Sequence, residues 1–206
     1  MLIGAMIMGL IIILFSYSKE FFNIRSELLN HATLDLREDK NTNLYIVTHD
    51  FGFSDAALVY YELLRSHDKE DLRFITTKGL KSVSKFLPLP QSGFIFTDKG
   101  KSTNTVKRVM SEIDKGKIVV MFVDKKWSGR KGSHAIGSHE NVKMSTISVK
   151  GEVSWVTPNK FSFSLSRYLS GYDRRANFTL IIKDFEKMEQ ESPEEMNTRL
   201  FKQLYN

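Results

Sequence analysis

The sequence predicts an α/β domain with a mostly parallel central sheet flanked by helices, carried on an N-terminal membrane anchor helix. Three observations predict it. Between residues 44 and 122, short apolar runs alternate with segments of helical pattern, the order expected of a mostly parallel sheet covered by helices. The runs at 44–48 and 117–122 are apolar almost throughout, as strands covered on both faces are. Residues 1–18 carry no charge.

The anchor comes first in the chain. Residues 2–15 are almost wholly aliphatic, Lys19 and Arg25 follow, and no Lys or Arg precedes them. The run approaches the ~20 residues that cross a bilayer. It lacks the basic start and the clear small-residue cleavage site of a signal peptide, so it reads as an uncleaved anchor. Positive charge on its C-terminal flank favours a domain on the cytoplasmic side. The plainer alternative is a buried first helix of the domain. Residues 19–43 read as an amphipathic segment and linker. Phe21, Phe22, Ile24, Leu28 and Leu29 have rough helical spacing beside Lys19, Arg25 and Glu27, which suits an interfacial helix or an ordinary amphipathic one packed on the core. Residues 35–43 are charged and read as the linker.

The α/β domain spans 44–206. Strands are expected at 44–48, 72–76, 93–97 and 117–122. Between them lie a helix from Ser54 to Arg65 with Ser54 as cap, a short helix at 79–86 ended by Pro88 and Pro90, and a helix at 103–113 stopped by Gly116. Beyond a polar, basic loop at 124–140, β-like runs occupy 143–149, 152–156, 161–165 and 178–182. A last helix opens at Ser192-Pro193-Glu194-Glu195: serine as cap, proline in the first turn, glutamate three residues after the cap.

Composition narrows the chemistry. The 206 residues suffice for one domain with a real core. There is no cysteine, which excludes a disulfide framework and any thiolate metal site. The net charge of +6 favours anionic partners: phosphorylated substrates, anionic lipid or nucleic acid. A nucleic-acid module is the weakest of these, because the aromatics lie mostly in apolar strands and not among Lys and Arg.

Three blocks carry residues suited to chemistry. In Tyr45-Ile46-Val47-Thr48-His49-Asp50-Phe51-Gly52-Phe53-Ser54-Asp55, a strand delivers an imidazole to a turn, with carboxylates close behind. A neutral imidazole can take a proton from a hydroxyl. A carboxylate on its other ring nitrogen orients it and raises its basicity, and either Asp55 or Asp50 is placed to do so. The bland alternative is a histidine that ends a strand and an aspartate that starts a helix. The second block, Gly93 to Lys99, ends a strand in Asp98-Lys99, where Lys99 can hold a phosphate as a point charge or simply form a surface pair. The third runs from Phe122 through Asp124, Lys125, Lys126, Trp127, Ser128 and Arg130 to Gly132. It is suited to cradling phosphate, or to lying solvated near anionic lipid.

In this order the blocks resemble the glycerolipid acyltransferase superfamily, which includes the lysophosphatidate acyltransferases, over residues 44–206. His49 and Asp55 resemble the family's His-x4-Asp signature with one more residue between them, and Thr48 stands where the family often has asparagine. Phe122-Val123-Asp124-Lys125-Lys126-Trp127-Ser128 occupies the place of Phe-Pro-Glu-Gly-Thr-Arg-Ser. Lys99 stands at a phosphate-binding arginine. The resemblance implies acyl-CoA-dependent acylation of a hydroxyl on a phosphorylated glycerolipid. His49 would be base and Asp55 orienter, with Asp50 as the substitute. Lys99, Lys125, Lys126 and Arg130 would bind phosphate, and Asp124 and Ser128 would belong to the acceptor loop. It implies no metal and no cofactor beyond the co-substrate acyl-CoA. The expected partners are that thioester, the lipid acceptor and the membrane. A catalytically inactive, membrane-anchored homologue that binds lipid or protein is the alternative reading.

Overall fold

The computed structural model describes residues 22–28, 42–49, 53–81, 91–97, 102–123, 136–152, 176–188 and 190–205. The expected anchor at 1–18 lies outside them, as do the β-like run at 161–165 and all but Glu152 of the run at 152–156. Among the described residues, no helix is long and apolar enough to cross a membrane.

The elements in chain order are β1 (Phe22–Leu28), β2 (Leu44–Thr48), α1 (Phe53–Leu63), β3 (Leu72–Thr77), β4 (Phe94–Thr97), α2 (Ser102–Asp114), β5 (Ile118–Val123), β6 (Met144–Glu152), β7 (Ala176–Phe185) and α3 (Pro193–Tyr205). The seven strands form one sheet in the order β1-β7-β6-β2-β5-β3-β4. Strands β6, β2, β5, β3 and β4 run parallel; β7 is antiparallel to β6, and β1 parallels β7. The fold is therefore α/β with a mostly parallel sheet.

The pattern of burial explains the central strands. On one face Tyr45, Val47, Phe74, Val120, Ile147 and Leu180 pack against Leu58, Val59, Tyr60 and Leu63 of α1. On the other, Leu44, Ile46, Val119, Met121 and Val123 pack against Val109 and Ile113 of α2 and Met196, Leu200 and Leu204 of α3. Every residue of β2 is buried, so an unbroken apolar run forms this strand without alternation. Each fully buried aliphatic side chain in these layers contributes roughly 1.5–3 kcal/mol.

Several boundaries differ from expectation. α1 begins at Phe53, so Ser54 lies inside its first turn instead of capping it from outside. The expected helix at 79–86 is replaced, over its described part, by a 3-10 turn at Lys78–Leu80; residues 82–90 lie outside the described set. β6 runs on through Gly151 to Glu152 where a break was expected. The helical spacing seen around Phe22 to Leu28 gives way to a strand paired residue for residue with β7, from Phe22↔Ala176 to Leu28↔Ile182. The same residues also alternate with period two, apolar at Phe22, Ile24 and Leu28 and polar at Asn23, Arg25 and Glu27, and sheet pairing selects that period.

One expected stop and one expected start form as read. Gly116 ends α2 with φ +75°, a conformation that strains any residue with a Cβ. The capping box forms in both directions: the Ser192 N–H donates to Glu195 Oε2 at 2.9 Å, and the Glu195 N–H donates to Ser192 Oγ at 3.3 Å.

Two carboxylates tie the helices to their surroundings. Glu112 on α2 accepts from Lys115 Nζ and from Arg73 Nε, both at 2.7 Å. Arg199 grips Glu191 through Nε at 2.8 Å and through a terminal guanidinium nitrogen at 2.7 Å. The hydrogen bond from Lys115 holds the Glu112 carboxyl below its ordinary range, and Arg199 does the same for Glu191. A depressed carboxyl contributes stability above its unfolded pKa, about 4.3, and loses it as pH falls through the folded value. Resistance to urea unfolding is therefore expected to weaken below about pH 4.3. Glu112→Gln should shrink that acid loss; an unchanged loss in the variant would show that Glu112 has no part in it.

Candidate functional site

The site is built where β2 ends. The final β2–β6 ladder pair is Val47↔Ile147, and one step on the buried Thr48 hydroxyl accepts the Val149 N–H at 2.9 Å. The end of β2 is thus held firmly to its neighbour. His49 follows immediately, with 46% of its side chain exposed. Four residues later α1 begins, and it carries Asp55 in its first turn, where the helix dipole favours a carboxylate.

His49 Nδ1 lies 3.4 Å from Asp55 Oδ2, and the Asp55 side chain is fully buried. Residues six apart in a regular helix do not share a face. They meet here because His49 stands outside the helix and Asp55 inside its first turn. The contact is looser than the about 2.7–2.9 Å of a tight charge-assisted bond. It strengthens when the ring gains a proton, since the ring then faces a full negative charge. A buried carboxylate is expensive to keep unless a partner repays its desolvation. Here a half-exposed imidazole stands beside it and turns Nδ1 toward the carboxylate.

The register of the sheet adds a third group. Val47 pairs with Phe122 and Thr48 with Val123. The Phe122 ring centroid sits 5.9 Å from that of His49, tilted by 59°. Behind it, Phe74 stacks on Phe122 at 6.1 Å, and Tyr60 of α1 meets Phe74 edge-on at 6.1 Å.

Chain direction marks this edge as the one where open α/β sheets usually bind their ligands. From β2 the chain passes to α1 on one face of the sheet. After β5 it passes to Ile136 and Val142 on the other face. Neighbouring parallel strands whose connections leave to opposite faces open a gap at their carboxyl ends, the usual ligand position in open α/β sheets. His49 stands at that edge, directly after β2. At the carboxyl end of β5, the Tyr205 hydroxyl of α3 donates to the Val123 carbonyl at 2.7 Å, fixing where the strand ends.

Of the expected site residues, the structure brings together His49 and Asp55. Asp50, Lys99, Asp124, Lys125, Lys126, Ser128 and Arg130 lie outside the described residues. The described strands that precede them, β4 ending at Thr97 and β5 ending at Val123, run parallel to β2 and so end at the same edge as His49. Among the described residues, no three His, Cys, Asp or Glu side chains converge as a metal site would need.

Sequence reasoning named Thr48 and Phe122 only as members of the motif blocks, with no role for the Thr48 hydroxyl or the Phe122 ring, and did not mention Tyr205. Phe122 was within reach: once β2 and β5 are taken as parallel neighbours, the last aromatic of β5 falls beside the end of β2. No family model, curated protein or solved structure matches the chain.

Proposed function

We propose that the chain is a glycerolipid acyltransferase of acyltransferase-like fold, transferring an acyl group from acyl-CoA to a hydroxyl of a phosphorylated glycerolipid of lysophosphatidate or glycerol-3-phosphate type. The observation that carries the reading is the 3.4 Å approach of His49 Nδ1 to the buried Asp55 carboxylate at the carboxyl edge of the sheet. With Nδ1 turned to Asp55, Nε2 is the nitrogen that takes the acceptor's proton. The hydroxyl oxygen attacks the thioester carbonyl, and the tetrahedral intermediate collapses with departure of the coenzyme A sulfur. The proton held on Nε2 passes to that sulfur, and the ester is released. Asp55 stabilises the imidazolium while it lasts.

The net charge of +6 suits an acceptor and a co-substrate that both carry phosphate. Lys99, Lys125, Lys126 and Arg130 are the cations assigned to those phosphates, with Asp124 and Ser128 in the acceptor loop. Residues 1–18 are assigned as the membrane anchor, with the domain on the cytoplasmic side.

The direct test supplies purified full-length protein in lipid nanodiscs with a long-chain acyl-CoA and either lysophosphatidate or glycerol 3-phosphate, and measures ester product and free thiol. Formation of both supports the proposal. Failure with both acceptors over a range of acyl lengths removes it and leaves an inactive homologue that binds lipid.

Two further outcomes are expected. Replacing Lys125, Lys126 and Arg130 together by alanine should raise the KM for the phosphorylated substrate more than it lowers kcat, because a phosphate grip serves ground state and transition state alike. An unchanged KM would reduce the loop to solvated surface. Deleting residues 1–18 should move much of the protein from the membrane fraction to the supernatant. Release of the full-length chain by high salt alone would exclude an integral anchor.

A further inference from the structure

Resting on the reading of His49 as the base, we propose that Thr48 is a positioning residue for that base. Its hydroxyl takes over a ladder hydrogen bond from its own carbonyl and so sets where the chain leaves the sheet. The β2–β6 ladder shows the exchange. Leu44 donates its N–H to the Lys143 carbonyl at 3.1 Å, which fixes the residues of β2 that turn their main-chain groups toward β6. They are Leu44, Ile46 and Thr48, because strand geometry repeats every second residue. A ladder continued in this register would direct the Val149 N–H to the Thr48 carbonyl. Instead the register stops at Val47↔Ile147, and the Val149 N–H donates to the Thr48 hydroxyl at 2.9 Å.

The exchange meets a need that arises wherever a central strand ends. Thr48 is 1% exposed and Val149 3%, so an N–H left behind there would be buried and unsatisfied. A side-chain acceptor satisfies the donor while the main chain turns away. The release is one-sided. On the other flank Thr48 still pairs with Val123, so the chain is held toward β5 and let go toward β6.

Strand alternation has already chosen the face. Tyr45 and Val47 lie against α1, and His49 follows them on that side, where Asp55 stands. The Thr48 hydroxyl then decides where along the edge the turn begins. With it goes the 3.4 Å separation of His49 Nδ1 from Asp55 Oδ2. A carbonyl acceptor at residue 48 would keep the 48–49 peptide in the sheet and carry the histidine further along the line of β2. Thr48 acts on the main chain, and this control is independent of what else the His49 ring touches.

The experiment compares wild type, Thr48→Val and Thr48→Ser. A scalar coupling across the hydrogen bond, from the Val149 nitrogen to the residue-48 carbonyl carbon, is seen only when that carbonyl is the acceptor. It should be absent in wild type, while the Val149 amide exchanges slowly with solvent. In Thr48→Val, which has no hydroxyl, the coupling should appear as the ladder lengthens. Nuclear Overhauser contacts between the His49 ring and the Asp55 methylene should weaken in the same variant. Its kcat should fall about 10- to 100-fold at unchanged KM, the usual effect of misplacing a catalytic group. Thr48→Ser keeps the hydroxyl and should recover most of the rate. A threonine that only closes the strand would lower thermal stability in Thr48→Val and leave the kcat of the folded fraction intact. That result, unchanged His49–Asp55 contacts in Thr48→Val, or a coupling to the Thr48 carbonyl in wild type would overturn the proposal. The wild-type coupling decides even if Thr48→Val does not fold. If wild type transfers no acyl group, the couplings and ring contacts still decide whether Thr48 places His49, and only the assignment of His49 as base is lost.

Discussion

His49→Ala is expected to lower acyl transfer by about 10²–10⁴-fold, the usual worth of a general base. The loss should fall on kcat, because the imidazole acts on a proton in flight and not on substrate binding. The variant also leaves the fully buried Asp55 carboxylate without its imidazole contact, so some stability should be lost with it. His49→Gln separates the two effects. Its amide can still donate toward Asp55 but cannot take up a proton at neutral pH. Circular dichroism and urea unfolding on both variants establish the folded fraction before rates are compared. Full transfer activity in folded His49→Ala would end the assignment of this residue as base.

How much of this was legible in the sequence depends on how local the deciding interaction is. The bounds of β2 match expectation because four consecutive apolar residues, Leu44 to Val47, ending in a β-branched threonine favour a strand covered on both faces. The capping box at Ser192 and Glu195 and the stop at Gly116 also matched, since both rest on residues within one helical turn. β1 was misread because its pattern satisfies two periods at once. Its partner, β7, begins at residue 176, too far along the chain for any local pattern to announce it. The site divides in the same way. His49 and Asp55 are six residues apart, and the turn between strand and helix makes their meeting readable. The ring of Phe122 approaches His49 only through the β2–β5 register, so it becomes visible once the sheet order is known.

Asp55→Asn is expected to separate function from stability. On the rate, loss of a group that orients a histidine costs about 10- to 100-fold in metal sites, and more where the wrong tautomer results. The effect here should be smaller than that of His49→Ala, because the base itself remains. On stability the two variants should differ in the other sense from a buried ion pair cut at its exposed end. Removing His49 takes the imidazole away from a buried charge, whereas Asp55→Asn removes the buried charge and leaves a half-exposed neutral ring beside an amide. The desolvation cost of a buried carboxylate is several kcal/mol, and it disappears with the charge. Against this stand the contact with His49 and the carboxylate's place in the first turn of α1, the latter worth about 0.3–1 kcal/mol. The terms largely offset, so the unfolding free energy should change by no more than about 1 kcal/mol. A carboxylate that costs stability to keep and rate to lose is one retained for chemistry. If Asp55→Asn instead destabilises the fold by about 3–5 kcal/mol, the range for a broken structural pair, and its folded fraction transfers acyl groups at the wild-type rate, Asp55 serves the helix and not the imidazole.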